Sequence, residues 1–395
     1  MSKPASAPGW DAVLLAGFGG PEAPDDVMPF LRNVTRGRGV PEERLIEVSH
    51  HYAALGGVSP INAQNRALRE ALEQELSRRG IDLPVLWGNR NWAPYITDVV
   101  QKAYRDGRPR LLGVATSAYS SYSSCRQYRE DFGKALQTTD LVGEVRIDKV
   151  RLYYNHPGFL LPFVDGVVTA IAQAATAGLA VDDLEIVFTT HSIPVIMAES
   201  SGPAGTPAPG AYVSQHLAGS QFVIDAAQQR LGAGATLSWQ LAYQSRSGPP
   251  QMPWLEPDIN DVIAELAAAG RRGIVVVPIG FVSDHVEVVW DLDNEALETA
   301  TAHGLFFARV PTPGTDPRFV SALADLVAER LDPSLPRAAL TAGGPAPDRC
   351  GAGCCRNLRA VQPTTAAVDS ADDWPEVDRD RLLASRVDGT CAESA

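Results

Sequence analysis

Three short segments of this 395-residue chain carry side chains able to exchange protons or hold a cation. The richest is Ser283-Asp284-His285-Val286-Glu287-Val288-Val289-Trp290-Asp291, where Glu287 and Asp291 stand four residues apart and so share one face of a helix. Like charges at that spacing weaken a helix, so the row needs a reason. Part of it has a structural one, with Asp284 as helix cap and Glu287 closing a capping box, but that leaves His285 and Asp291 unexplained. The second segment is His191-Ser192-Ile193-Pro194, an imidazole at the end of an apolar run that a proline then halts. Alone it could equally be a core histidine. The third is a cysteine group, Cys350, Cys354, Cys355 and Cys391, with Cys125 the one other thiol. An odd, clustered set points to metal ligation rather than a disulfide framework, free tail thiols being the plain alternative.

These residues need elements to position them. Apolar runs at Val13–Gly17, Pro84–Gly88, Arg110–Ala115 and Arg146–Tyr153 alternate with amphipathic stretches such as Asn62–Arg79. Runs at Leu184–Thr190, Leu237–Ala242, Gly273–Pro278 and Leu305–Val310 repeat the pattern. This βαβ rhythm predicts an α/β chain of two similar parallel-sheet halves, with ligands beyond the carboxyl ends of the strands. His191 and the 280–285 segment follow directly on two such ends. Gly17-x-Gly19-Gly20 follows a third, but Glu22 stands where a dinucleotide fingerprint needs its last glycine, so the turn serves either chain packing or close approach to a flat ligand. Tyr243–Trp254, rich in proline, adds a loop beside the acidic row, and Phe281, Trp254 and Trp290 make the surroundings an apolar slot.

The formal charge of -13 argues against a nucleic-acid partner, which would require clustered cations. Hydrophobic residues at 45% and charged residues at 21% are ordinary globular usage, and the length suits two domains and a tail. Phe159–Val181, the longest apolar stretch, is broken by Asp165 and Gln173, which predicts a core helix rather than a membrane span. Met1–Gly9 lacks the layout of a signal peptide, so the expectation is a cytoplasmic monomer without a transmembrane segment.

Five segments resemble, in family order, the signature segments of ferrochelatases: Leu14–Glu22, Tyr52-x-x-Leu55-Gly56-Gly57-x-Ser59-Pro60-Ile61, His191–Pro194, Tyr243–Asp258 and Pro278–Asp293. The resemblance implies two similar doubly wound (Rossmann-like) parallel-sheet domains with a porphyrin cleft between them. They would span 10–153 and 154–316, with a helix at about 317–331 packed back on the first and an acidic, cysteine-bearing extension over 334–395. It implies Fe²⁺ and a porphyrin as substrates, His191 and Glu287 as the central catalytic pair and iron contacts, and His285 and Asp291 beside them. Phe18, Arg32, Tyr52, Tyr119, Tyr122, Arg126, Trp254 and Phe281 become candidate porphyrin contacts. Phe18 stands where some relatives place a tyrosine, which rules out phenolate ligation there. The charged entrance Met28–Glu47, with Arg32, Arg36, Arg38 and Arg44, suits the four propionates of coproporphyrin III, protoporphyrin IX being the alternative. Insertion of cobalt or nickel, a non-catalytic heme or iron–sulfur sensor, and a nucleotide-dependent oxidoreductase are the competing classes. Cluster-bearing relatives imply a [2Fe–2S] centre on Cys125, Cys350, Cys354 and Cys355, with Cys391 as a substitute, in a structural or redox-sensing role. Porphyrin-delivering or heme-accepting proteins would be the partners.

Overall fold

The structure, a computed structural model, describes residues 9–387 except 38, 233, 249 and 250. Its strands are β1 (Ala12–Gly17), β2 (Val85–Asn89), β3 (Arg110–Ala115), β4 (Arg146–Lys149), β5 (Leu184–His191), β6 (Trp239–Gln244), β7 (Gly273–Val277) and β8 (Phe306–Arg309). Each run predicted from the sequence overlaps one of them, with β4 ending at Lys149 rather than Tyr153 and β6 running on to Gln244. The helices are α1 (Val27–Val34), α2 (Glu42–Ala54), α3 (Ile61–Arg78), α4 (Ile96–Arg105), α5 (Gln127–Thr138), α6 (Pro157–Thr176), α7 (Val195–Glu199), α8 (Ala211–Leu231), α9 (Ile259–Ala268), α10 (Val286–Val288), α11 (Leu297–Ala302), α12 (Pro317–Leu331) and α13 (Glu376–Val387).

The strands form two four-stranded parallel sheets, ordered β2-β1-β3-β4 and β6-β5-β7-β8. The same winding occurs twice. In each sheet the order reverses beside the first strand, between β1 and β3 and between β5 and β7, and such a switch point opens a crevice at the strand ends. β1 and β7 read as unbroken apolar runs because helices cover both faces.

One continuous core joins the halves. Leu15 and Val114 of the first sheet and Phe188 and Val277 of the second belong to the same cluster, with α3, α6, α8 and α12 between them. Phe159, Leu160, Phe163, Val164 and Val167 of α6 are fully buried in it. α6 is long and apolar enough to cross a membrane, yet here it is the central core helix. α12 packs on α3 and equally on α6, and pins the end of β4 through Arg330 to Asp148 at 2.7 Å and Glu329 to Arg151 at 2.7 Å.

Residues 334–387 are docked, not loose. Arg129 of α5, buried, donates to the Thr365 carbonyl at 2.7 Å, and the Trp374 indole donates to the Thr364 carbonyl at 2.7 Å. Gly133 of α5 lets the Pro363 backbone approach to where a Cβ would sit 2.3 Å from its oxygen.

Candidate active site

His191 ends β5 at the second sheet's switch point, and Glu287 lies just after β7 on the other side of it. His191 Nε2 and Glu287 Oε2 are 3.7 Å apart, with the imidazole one-third exposed and the carboxylate half exposed. His191 Nδ1 lies 2.5 Å from the Ser192 carbonyl. A carbonyl only accepts, so Nδ1 carries a proton, and Nε2 is the ring nitrogen turned toward Glu287.

The acidic row continues away from this pair. Val289–Ala296 forms a π-helix, a rare geometry that recurs at functional sites. On it Asp291 accepts hydrogen bonds from Ser245, just after β6, and, at 3.2 Å, from Gln244, the last residue of that strand. Burial, with Glu287 and Glu295 adding repulsion, outweighs those bonds and pushes Asp291 up to about 7. Burial likewise holds His285 below the ordinary imidazole range against the pull of Glu287, and its ring meets Phe281 edge-on at 5.3 Å.

The cap reading of this segment is corrected. His285, not Asp284, precedes α10, and no side chain caps that helix. Asp284 instead pairs with Arg309 at 3.0 Å, and its carbonyl accepts from Gln64 of α3 at 2.9 Å. Asp284 thus fixes the loop to both halves.

On the first-domain side, Phe18 after β1 is partly exposed and meets Phe30 edge-on at 6.3 Å; Phe30 in turn meets Tyr52 at 6.1 Å. Tyr52 is buried, and desolvation with the nearby Glu287 charge raises its hydroxyl well above the ordinary range. Val286 packs into the same cluster, so this wall faces the acidic row. Trp254 closes the loop from behind, its ring against Gly248 and its backbone bridged to Pro194. The glycine turn is filled by its own chain, since a Cβ on Gly17 would meet Asn65 at 2.5 Å and one on Gly20 would meet Ser59 at 2.6 Å.

Three expected porphyrin contacts lie elsewhere. Tyr119 is buried in the core, stacked on His216 at 3.6 Å, with its hydroxyl on the Ile279 carbonyl at 3.1 Å. Arg126 is buried between Glu130 at 3.1 Å and Asp373 at 3.3 Å, and Tyr122 bonds Glu130 at 3.3 Å and Asn357 at 3.1 Å. Both residues hold the C-terminal extension, whose partners in Asn357 and Asp373 carried no signal in the sequence. Arg32 is exposed and paired with Glu42, and Arg44 with Glu47 at 2.7 Å; Arg38 lies outside the described residues. Glu295 is the site residue the sequence reading passed over, although it repeats the four-residue step after Asp291, while Gln244 and Ser245 lay in the segment singled out beside the acidic row without a role of their own.

A second constellation gathers four thiols. Cys125, on a π-turn over Tyr122–Arg126, has its Sγ 4.0 Å from that of Cys355, which is 3.8 Å from that of Cys354. Cys350 completes the group, held well below the ordinary thiol range by hydrogen bonds to Cys125 and Cys354, with Lys149 and Arg129 adding positive charge. All four are buried. They touch as thiols, and among the described residues no three His, Cys, Asp or Glu side chains are spread around a point that would hold a metal ion. Cys391 lies outside the described residues.

An imidazole beside a carboxylate at the switch point of a doubly wound sheet, with a carboxylate row leading away, fits a metal chelatase of the α/β class. The ferrochelatase family model matches residues 10–331. The coproporphyrin III ferrochelatase of Leifsonia xyli subsp. xyli is 56% identical over 372 residues, covering 91% of this chain and 94% of that protein. That of Streptomyces griseus subsp. griseus is 51% identical over 371 residues, covering 91% and 97%. SirB from Bacillus subtilis with Fe³⁺ aligns at a TM-score of 0.44 and 14% identity, covering 82% of this chain and 96% of that one. The chain belongs to the ferrochelatase family.

Proposed function

We propose that this chain inserts Fe²⁺ into coproporphyrin III to give coproheme III in heme biosynthesis, acting in the cytoplasm. The observation that carries the chemistry is His191 Nε2 set 3.7 Å from Glu287 Oε2. Metallation must remove two pyrrole protons, strip water from the cation and bend the ring. His191 Nε2 takes a proton and, with Glu287, meets the iron, since nitrogen and oxygen ligands hold Fe²⁺ loosely enough to give it up. Asp291, balanced near neutrality, receives and releases that proton, and Glu295 stands next along the π-helix toward solvent. Phe18, Tyr52 and Phe281 supply the walls against which ring binding is converted into distortion.

The substrate assignment rests on the names of the relatives, since Arg32 and Arg44 of the expected cationic entrance are paired with Glu42 and Glu47. Anaerobic incubation with Fe²⁺ and either coproporphyrin III or protoporphyrin IX, followed by absorption, tests it. Faster metallation of coproporphyrin III is expected, and a clear preference for protoporphyrin IX would overturn the assignment.

The four gathered thiols are further proposed to hold a [2Fe–2S] cluster. The donor set is all sulfur, buried, and flanked by the cations Lys149 and Arg129, which suits thiolates. When bound, such a cluster supplies a one-electron redox couple. The cysteines themselves tie Cys125, before α5, to the extension around Cys350.

A further inference from the structure

The thiol group and the histidine are connected through one short segment, 200–216. Cys355 N–H donates to the Gly202 carbonyl at 2.9 Å, and Gly202 N–H donates back to Cys355 Sγ at 3.2 Å. The neighbouring Ser201, buried, accepts at its Oγ from Tyr212 N–H at 2.7 Å, and its carbonyl accepts from Ala211 N–H at 3.1 Å. Tyr212 stands in the first turn of α8 and is buried. Its hydroxyl bonds the His191 carbonyl at 2.9 Å and Thr190 Oγ1 at 2.8 Å. A second tie leaves the same helix end for Cys125: Gln215 exchanges hydrogen bonds with Ser120 at 2.8 and 2.9 Å, just before the π-turn that carries that cysteine. The bend between these contacts has no slack, because a Cβ on Gly210 would lie 1.9 Å from the Ala198 carbonyl.

We propose that the first turn of α8 is a brace for the catalytic histidine, anchored at its back on Cys355 and, through Gln215, on Ser120, with Tyr212 as the positioning residue. The inference rests on the assignment of His191 to metal insertion. Backbone at the end of β5 sets the direction of the His191 ring, since its own Nδ1 is tied to the adjacent Ser192 carbonyl. Releasing the Tyr212 hydroxyl frees that backbone without touching any group that meets porphyrin or iron. Loosening Cys355 frees the same backbone from the far end. The two changes therefore act on one element and cannot act twice.

The test is steady-state Fe²⁺ insertion by the purified full-length protein, comparing Tyr212→Phe, Cys355→Ala and the double variant. Tyr212→Phe is expected to lower kcat about tenfold, equivalent to about 1.4 kcal/mol in the barrier, with KM for the porphyrin within about twofold of the parent. The double variant should be no slower than the worse single, as residues acting through one element are non-additive. Tyr212→Phe with kcat within about twofold of the parent, or losses that multiply in the double variant, would overturn the brace. If Tyr212→Phe does not fold, Ser201→Ala, which removes the acceptor for Tyr212 N–H, is read in the same way with a smaller loss of about threefold. His191→Ala run alongside separates the premises: normal turnover there removes the histidine assignment, whereas an inactive His191→Ala beside an unaffected Tyr212→Phe removes only the brace.

Discussion

Ser245 donates a hydrogen bond to the Asp291 carboxylate, yet Asp291 is pushed up to about 7 because burial and its acidic neighbours outweigh that bond. The folded protein therefore keeps the Asp291 proton far longer than the unfolded chain does. Stability from this group is present in full below about pH 4 and is lost as pH rises toward about 7, since over that range the native state binds more protons than the unfolded one. Asp291→Asn, neutral at every pH, should be more stable than the parent by about 2 kcal/mol at pH 8. The full shift would give roughly twice that, but water screens a half-buried carboxylate. Below pH 4 the difference should vanish. Urea denaturation of both proteins at pH 4 and pH 8 checks this, and equal stability at pH 8 would contradict it. The same variant should turn over about tenfold more slowly, because the row loses its proton carrier.

His191→Ala and Glu287→Gln are expected to lower kcat/KM for metal insertion by about a hundredfold to a thousandfold each, the range for removing a proton-transfer group. Neither side chain is buried in the core, so circular dichroism and the unfolding midpoint should stay near those of the parent. A folded His191→Ala protein with near-parental turnover would exclude His191 from the chemistry.

The two-sheet fold was legible because parallel strands buried on both faces, such as Gly273–Val277, announce themselves as apolar runs, and because ligand chemistry collects at their carboxyl ends. His191, Glu287 and Asp291 could be found for the same reason. What could not be read was direction. The resemblance made Tyr119 and Arg126 candidate porphyrin contacts, but their side chains turn to His216 and to Glu130 and Asp373. Arg126 is recruited by a carboxylate 247 positions away in sequence, a pairing no local pattern encodes. The π-helix over Val289–Ala296 was equally hidden, since a four-residue acidic step suits an α-helix as well.

Glu329 offers a test of how α12 holds the first sheet. Its carboxylate meets the fully buried Arg151 guanidinium at 2.7 and 2.9 Å, and Arg337 approaches at 3.5 Å. Glu329→Ala leaves the Arg151 charge buried with only carbonyl partners, a loss of about 3–5 kcal/mol. Replacing both residues by apolar ones of similar volume, Arg151→Met with Glu329→Leu, should recover most of that loss. A single variant within about 1 kcal/mol of the parent would show that the pair is not what secures α12.

The cysteines give the sharpest outcome, because the four that meet are separable from the one that lies outside the described residues. Cys125→Ser, Cys350→Ser, Cys354→Ser and Cys355→Ser each remove a thiol from one buried group in which Cys125, Cys354 and Cys355 lie 3.8 to 4.0 Å from a neighbour. A hydroxyl is a poor ligand for iron in a sulfur-bound cluster, so each variant purified without oxygen should lack the brown colour, and the acid-labile sulfide equal in amount to iron, that the proposed cluster would give the parent. Cys391→Ser should keep both. Cys125→Ser carries the most weight, since its thiol comes from the first sheet's side of the molecule and Lys149 and Arg129 sit within reach of the same group. Losing the cluster should also free residues 350–374 from one of their anchors, leaving Arg129 and Trp374 to hold them, so limited proteolysis ought to cut there faster in the Cys125 variant than in the Cys391 variant. A colourless parent protein without sulfide, even after reconstitution, would exclude the cluster. Colour lost on Cys391→Ser but kept on Cys354→Ser or Cys355→Ser would move the fourth ligand to the C-terminus.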